Sequence, residues 1–400
     1  MSTPIGQITR KLGCATGYVA QIWYYDRSIS KMRYYTDITG ITEVRWERVL
    51  DDFSEASVTF QPQKGDDCCG KLKPILANDG TTVLQPGLWP WAHELHLFRD
   101  GELVWQGWIF SVDETIEPDE TTDHIQITAR DALGWLDRRV IHNDIFMNDD
   151  FHDLSDVAET IIRDAFEPDD PDILAHLQVT PSGRKGKYTV RHWESRAGDE
   201  LRTVAQGGLD FCAIGRIIRV GTPSRDPDVP TITLRTKDFQ SGIEIRIVGA
   251  NAATGAVAVG ETIDPDTGDP VDPDTPPPKV YYGGLDPFFG LIENFTTNSI
   301  KDPSFLLWIA TQKVKEGNPP PLTLSIPADA NLSYDAPVSI HDLIPSRYFT
   351  VSIAGTCRSL AQYMRLSHLT VSWNDEQPEQ VGVTFIPQDV LATDPGGGDE

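Results

Sequence analysis

The 400-residue chain lacks the features that mark several large protein classes. Its five cysteines, Cys14, Cys68, Cys69, Cys212 and Cys357, are odd in number, two adjacent and three isolated, so neither a zinc spacing nor a disulfide framework can be read. They read as free thiols, with a metal site at the vicinal pair as the alternative. No run of eighteen apolar residues is present to span a membrane, and the N-terminal MSTPIGQITRKLG has no apolar core of a secretion signal. A soluble chain made in a cytoplasm is the expectation. Basic residues are scarce, 34 Lys and Arg against 60 Asp and Glu, for a formal charge of -26. Proteins that grip nucleic acid do so with cations that release counterions from phosphate, so this charge argues against that class.

Catalytic signatures are missing as well. There is no HExxH, no GxSxG, no Walker loop and no GxGxxG placed after a strand. His93 and His96 lie on opposite faces of an alternating strand, where they cannot share a metal. Asp51-Asp52, Asp149-Asp150 and Asp169-Asp170 could be paired as glycosidase acids, but among 60 acidic residues solvated turns are their expected use. The acidic stretch 264–278 (DPDTGDPVDPDTPPP) holds a weak calcium candidate, a cluster of Asp264, Asp266, Asp269, Asp272 and Asp274. Alternating prolines stiffen it towards polyproline II and the EF-hand ligand order is absent, so a linker or surface loop is the first reading. No catalytic residue, cofactor or enzyme activity is expected.

What is present is strand. The apolar fraction of 39% is enough for cores in two or three domains. Residues 18–25 and 32–35 read as a hairpin or pair of edge strands. Residues 42–50 and 55–60 read as a second hairpin, with Val44, Trp46 and, after a slip, Val49 and Leu50 on the apolar side. The stretch 62–90, rich in Gly, Pro and Asp, reads as an excursion from the sheet. Asp100-Gly101 between alternating apolar runs predicts a type I′ hairpin over 94–112, followed by a strand at 124–130 and a short helix at 131–136. Val157, Ala158, Ile161, Ile162, Ala165 and Phe166 share one helical face that Asp156 can cap, and 199–206 predicts a second helix leading into strands at 210–214 and 217–221. Strands follow at 231–234 and 243–248, a helix at 303–315, and strands at 322–326, 348–354, 368–371 and 381–386. Of the ten tryptophans, Trp89 and Trp91 flank Pro90 as an aromatic pair for glycan or another subunit, and Trp105 and Trp108 point to different faces; core or interface packing is their expected use.

In order along the chain, VRWERVLDDFSEASVTF, ELHLFRDGELVWQGWIFSVDE, ITARDALGWLDRRVI, DELRTVAQGGLDFCAIGRIIRVG, LIENFTTNSIKDPSFLLWIATQKVKEG, VSIHDLIPSRYFTVSIAG and MRLSHLTVSW resemble the tail hub proteins of tailed bacteriophages. These are the baseplate hub of contractile tails and the minor tail proteins of long non-contractile (siphovirus) tails, particularly of phages infecting actinobacteria. The resemblance spans about residues 40–390, and the order of the pieces is more specific than any one of them. It implies a mainly β fold with α+β lobes: a first tube-like β-barrel over 1–139 carrying the 62–90 insertion, an α+β lobe at 140–222, a connecting segment at 223–263, an acidic linker or loop at 264–290, a second tube-like β-barrel with helix at 291–391 and a flexible tail at 392–400. It also implies a homotrimer at the distal tail tip of the virion. Its partners would be the distal tail ring or tail tube protein, the tape measure protein and tip or receptor-binding proteins, with DNA passing through unbound. A tail-tip cell-wall hydrolase, a receptor- or carbohydrate-binding tail protein and the distal ring protein itself are the alternatives.

Overall fold

The computed structural model describes residues 11–62, 71–72, 75–76, 83–85, 87–116, 123–147, 152–167, 171–186, 188–221, 232–247, 252–260, 277–298, 303–317, 322–327, 330–354 and 359–391. The chain divides into two compact units. Unit 1 comprises Met1–Gly242, Ile326–Ala354 and Tyr363–Gln388, and unit 2 comprises Ile243–Ser325, Gly355–Gln362 and Asp389–Glu400.

Unit 1 is built on β1 (Tyr18–Asp26), β2 (Lys31–Ile38), β3 (Ile41–Val49), β4 (Glu55–Phe60), β5 (His93–Arg99), β6 (Glu102–Ile116) and β7 (Asp123–Arg130). The helices α1 (Ala132–Leu136), α2 (Leu154–Phe166) and α3 (Ala197–Ala205) follow, then β8 (Phe211–Ile214), β9 (Ile217–Val220), β10 (Ile232–Arg235), β11 (Tyr348–Ala354), β12 (Ser359–Asn374, within unit 1 from Tyr363) and β13 (Gln380–Leu391, within unit 1 to Gln388). One ladder runs β10-β11-β12-β3-β4-β7-β6-β5-β1-β2, with β13 on β12 and Ala330–Asn331 on β13. Among the described residues no pairing closes this ladder into a barrel. The two hairpins expected at the start form as β1-β2 and β3-β4. Asp100 and Gly101 both take positive φ, 49° and 86°, as the type I′ turn between β5 and β6 requires.

The periodicity does not reveal which strands become neighbours. β12 pairs with β3 from His368↔Val49 to Asn374↔Glu43, so strands from both sides of the acidic stretch share one sheet. The register makes this continuous. Val371, Trp46, Ala56, Ala129 and Ile109 align as one row across five strands, and Trp373, Val44, Val58, Ile127 and Val112 as the next. Trp46, Val44, Val58, Ile127 and Ala129 are fully or almost fully buried. There is no slip at the end of β3: Arg48 keeps the apolar-face parity of Val44 and Trp46, is buried, and donates to the carbonyls of Val104, Leu343 and Ile340 at 2.8, 3.0 and 3.1 Å. Val49 therefore falls on the polar face, because a guanidinium that reaches three carbonyls tolerates burial.

The α+β lobe of unit 1 has its own core. Val157, Ala158, Ile161, Ile162, Ala165 and Phe166 of α2 are all buried against Leu136, Leu201, Leu209, Phe211 and Ile218. The cap of α2 is Asp153, which accepts from Ser155 N at 2.9 Å, while Asp156 sits in the first turn. Asp153 lies next to the first helical residue, where a side-chain oxygen can reach a free N–H; Asp156 is already inside the helix.

In unit 2, Gly255–Gly260 is the central strand between Lys279–Gly283 (antiparallel) and Glu293–Asn298 (parallel), three strands the periodicity did not mark. Residues 279–283 fall within the 264–290 stretch whose expectation is a linker or loop. Tyrosines, glycines and Ala-Val alternation there give little hydrophobic contrast. The helix Pro303–Gly317 covers one face through Leu306 and Ala310 on Ala256 and Ala258. A two-stranded pair, Glu244–Ile247 with Leu322–Ser325, completes the unit.

A buried ion pair ties the first strands of unit 1 to its last hairpin. Arg99 on β5 donates Nη2 to Glu379 Oε2 at 2.6 Å and Nε to Oε1 at 2.9 Å. Tyr18 Oη donates to Oε1 at 2.6 Å and Ala15 N to Oε2 at 3.0 Å, so the fully buried carboxylate is satisfied from three segments. Glu379→Ala leaves Arg99 buried and uncompensated. We expect it to lower the unfolding free energy by about 3–5 kcal/mol, measured by chemical denaturation; a loss below about 1 kcal/mol would remove the clamp from the account.

Candidate functional site

The face of the long sheet opposite its core is the candidate site. Strand alternation that buries Val44, Trp46 and Val58 must present Glu43, Arg45, Glu47, Ser57 and Thr59 on the other side. The register gathers them: Ser372, Arg45, Ser57, Thr128 and Ser111 form one row across five strands, and Thr370 lies opposite Glu47. A shallow depression of about 550 Å³ is lined by Arg45, Glu47, Glu55, Ser57, Gln126 and Thr128, among others. Its arginine is held by an acid, Arg45 Nε lying 2.6 Å from Glu43, and Arg130, two residues beyond Thr128 on β7, has its Nε 2.8 Å from Glu55. His368 lies 3.0 Å from Glu47. Such a surface is polar, rich in hydroxyls and offers no row of unopposed cations to phosphate.

A second feature is the seam where the lobe meets the sheet, also within unit 1. Asp51, in the β3-β4 turn at φ 62°, exchanges hydrogen bonds with Phe211 on β8: Asp51 N to the carbonyl at 2.8 Å, and Phe211 N to the carboxyl at 2.9 Å. Arg202 on α3 reaches Asp52 and Asp137, both at 2.9 Å. Asp131 caps α1 and accepts from Ser54 N at 3.0 Å. Burial pushes the carboxyls of both Asp51 and Asp131 up to about 7, against the hydrogen bonds that favour their charged forms. Burial likewise pushes the Cys212 thiol up to about 12.

The other residues singled out in the sequence fall as follows. Asp264, Asp266, Asp269, Asp272 and Asp274, and the pairs Asp149-Asp150 and Asp169-Asp170, lie outside the described residues. Among the described residues no three His, Cys, Asp or Glu side chains gather as a metal site. No helix there is long and apolar enough to cross a membrane. Cys14 is exposed and Cys212 buried, both free; Cys68, Cys69 and Cys357 lie outside the described residues. His93 packs on Tyr35 and Tyr24, and His96 stacks on Trp23, so the two occupy opposite faces. Trp89 is exposed, whereas Trp91 packs on Trp135 and Phe110. Trp105 and Trp108 are both buried, Trp108 in the lobe core. Unit 2 leaves Tyr281, Val257 and Phe295 in one cross-strand row on the face away from its helix, with Phe295 68% exposed and Phe288 86% exposed nearby in sequence. Sequence reasoning missed Glu379 and Arg48. Only Arg48 carried a signal, a charge at the parity of Val44 and Trp46.

No family model matches the chain, and no curated protein matches it. Among the solved structures that match it over nearly their whole length are two tail proteins. One is the tail protein from Neisseria meningitidis MC58, at 13% identity and TM-score 0.57, covering 93% of this chain and 97% of that one. The chain shares its fold with a tail protein. The other, the 43 kDa tail protein of prophage MuSo2 from Shewanella oneidensis, has 11% identity and TM-score 0.51, covering 92% of this chain and 97% of that one.

The seam has a pH signature. Asp51 and Asp131 bind a proton more tightly folded than at their ordinary 3.8, so their contribution is fully present below about pH 4 and is lost as pH rises through about 7. We expect this contribution to lower the thermal midpoint between about pH 4 and 7, and Asp51→Asn to flatten that slope. An equal slope in the variant would show that Asp51 does not carry it.

Proposed function

We propose that the chain is a structural tail protein of a tailed bacteriophage, the hub that joins the tail tube or distal ring to the tip. The observation that carries this reading is a fold shared with two tail proteins over more than nine-tenths of each chain. In this reading three copies form a ring at the distal end of the tail, each supplying two tube-like curved halves. The ladder supports it in one respect: among the described residues β2 and β10 each have a single neighbour, and such open edges are completed by pairing between subunits. The acidic stretch 264–278 would then be an elaboration on the ring.

The polar face of the sheet is the surface we assign to the DNA channel. DNA must slide past it, and a row of Ser and Thr with arginines already paired to acids does not retard a polyanion. The aromatic face of unit 2 is assigned to contact with a tail partner, among them the tape measure protein and tip or receptor-binding proteins, since large exposed apolar groups mark interaction surfaces. The protein performs no catalytic step in this role.

Imaging of intact virions carrying a tag on this chain tests the assignment. Three copies in threefold order at the tail tip are expected. Six copies in sixfold order would assign the chain to the distal ring instead, and absence from the tip would overturn the reading.

A further inference from the structure

We infer that unit 1 contains a binding site for a small oxyanion, in the cavity between the lobe strands β8 and β9 and the segment leading into β11. The cavity measures about 460 Å³, and its lining includes Thr180, Asp210, Cys212, Arg219, Ser346 and Arg347. Its volume is in the range of small-molecule sites, and it is bordered by both apolar and polar groups.

The charges around it do not cancel locally. Both oxygens of Asp210 are engaged by Arg365 Nη1, at 2.7 and 2.6 Å, and the Ser346 hydroxyl donates to the same carboxylate, so Asp210 is neutralised. Arg347 meets Asp342 through Nη1 at 2.8 Å. Arg219 has no carboxylate partner among the described residues, and its Nε is buried without a hydrogen-bond acceptor. Cross-strand pairing places Arg219 opposite Cys212, on one face of the β8-β9 hairpin. Behind the cavity lining, Arg48 is buried, is bonded only to carbonyls and is electrostatically opposed by Arg219. The remaining acids facing Cys212 are Asp51 and Asp131, whose charged forms burial disfavours.

A guanidinium on the wall of a partly dry cavity, with a buried unpartnered Nε and a second buried guanidinium close enough to oppose it, is costly unless an anion lies beside it. Cys212 does not supply it, since burial keeps the thiol protonated. In a chain with 26 more acids than bases, an unpartnered arginine lining a cavity is not explained by a shortage of carboxylates. A bound oxyanion explains it: the planar fork of a guanidinium such as that of Arg219 matches two oxygens of a phosphate or a carboxylate, and Arg347 and Thr180 also line the cavity.

The test uses the full chain, inorganic phosphate and acetate, with chloride at matched ionic strength. Phosphate or acetate should raise the thermal midpoint saturably where chloride does not. Phosphate alone acting identifies a tetrahedral ligand; acetate acting identifies a carboxylate. Arg219→Met should abolish the shift, and Arg219→Lys, which keeps charge but loses the fork, should weaken apparent affinity by about tenfold or more. Arg33→Met, at the surface pair with Asp26, should leave it unchanged. Absence of any anion-specific shift in the native chain, or an undiminished shift in Arg219→Met or, should that variant not fold, in Arg219→Lys, would overturn the site.

Discussion

Much of unit 1 depends on one carboxylate having enough partners to remain buried. Glu379 lies in the turn before β13, and its oxygens are met by Arg99 from β5, Tyr18 from β1 and the backbone of Ala15. Trp46 of β3 donates in turn to the Tyr18 hydroxyl at 3.2 Å, and Arg99 also caps the carbonyls of Leu12 and Gly13. The last hairpin, the first strand and the N-terminal approach are thereby held in one arrangement. A buried charge is tolerated only with such complete satisfaction, so the network specifies position more than it adds net stability.

From that clamp the two faces of the sheet follow. Its rows are apolar on the core side and hydroxylic on the other, because residues two apart share a face along β12, β3, β4 and β7, and a bulge between Ile109 and Ser111 brings Ser111 and Val112 of β6 onto the matching faces. A one-residue slip anywhere would turn Trp46 out and Ser57 in. The buried rows make that expensive, and the same constraint keeps the polar face uniform across five strands. In the function proposed above, this uniform face is the surface assigned to the DNA channel.

The local elements were largely legible in the sequence. Alternation marked β3, β4, β5 and β7, Asp-Gly marked the β5-β6 turn, and the 3.6-residue period marked α2 to within its cap. What alternation could not convey was partnership. Nothing in residues 368–374 names residues 43–49 as their neighbours, and nothing in Glu379 announces Arg99, 280 positions away. The three strands of unit 2 escaped for a different reason: alanine and glycine on the buried side and tyrosine and phenylalanine on the open side invert the usual contrast. The calcium candidates in the acidic stretch stand as they did, since they lie outside the described residues.

The central claim is that strands from both sides of the acidic stretch form one cooperative sheet. Native-state hydrogen exchange at the amides of His368–Asn374 and Ile41–Val49 tests it most directly. The account requires the interior amides of both stretches to exchange in the same slow class, with the same free energy of opening, and to lose protection together in Glu379→Ala. Exchange of residues 368–374 at a markedly lower opening energy, with residues 41–49 still protected, would contradict it.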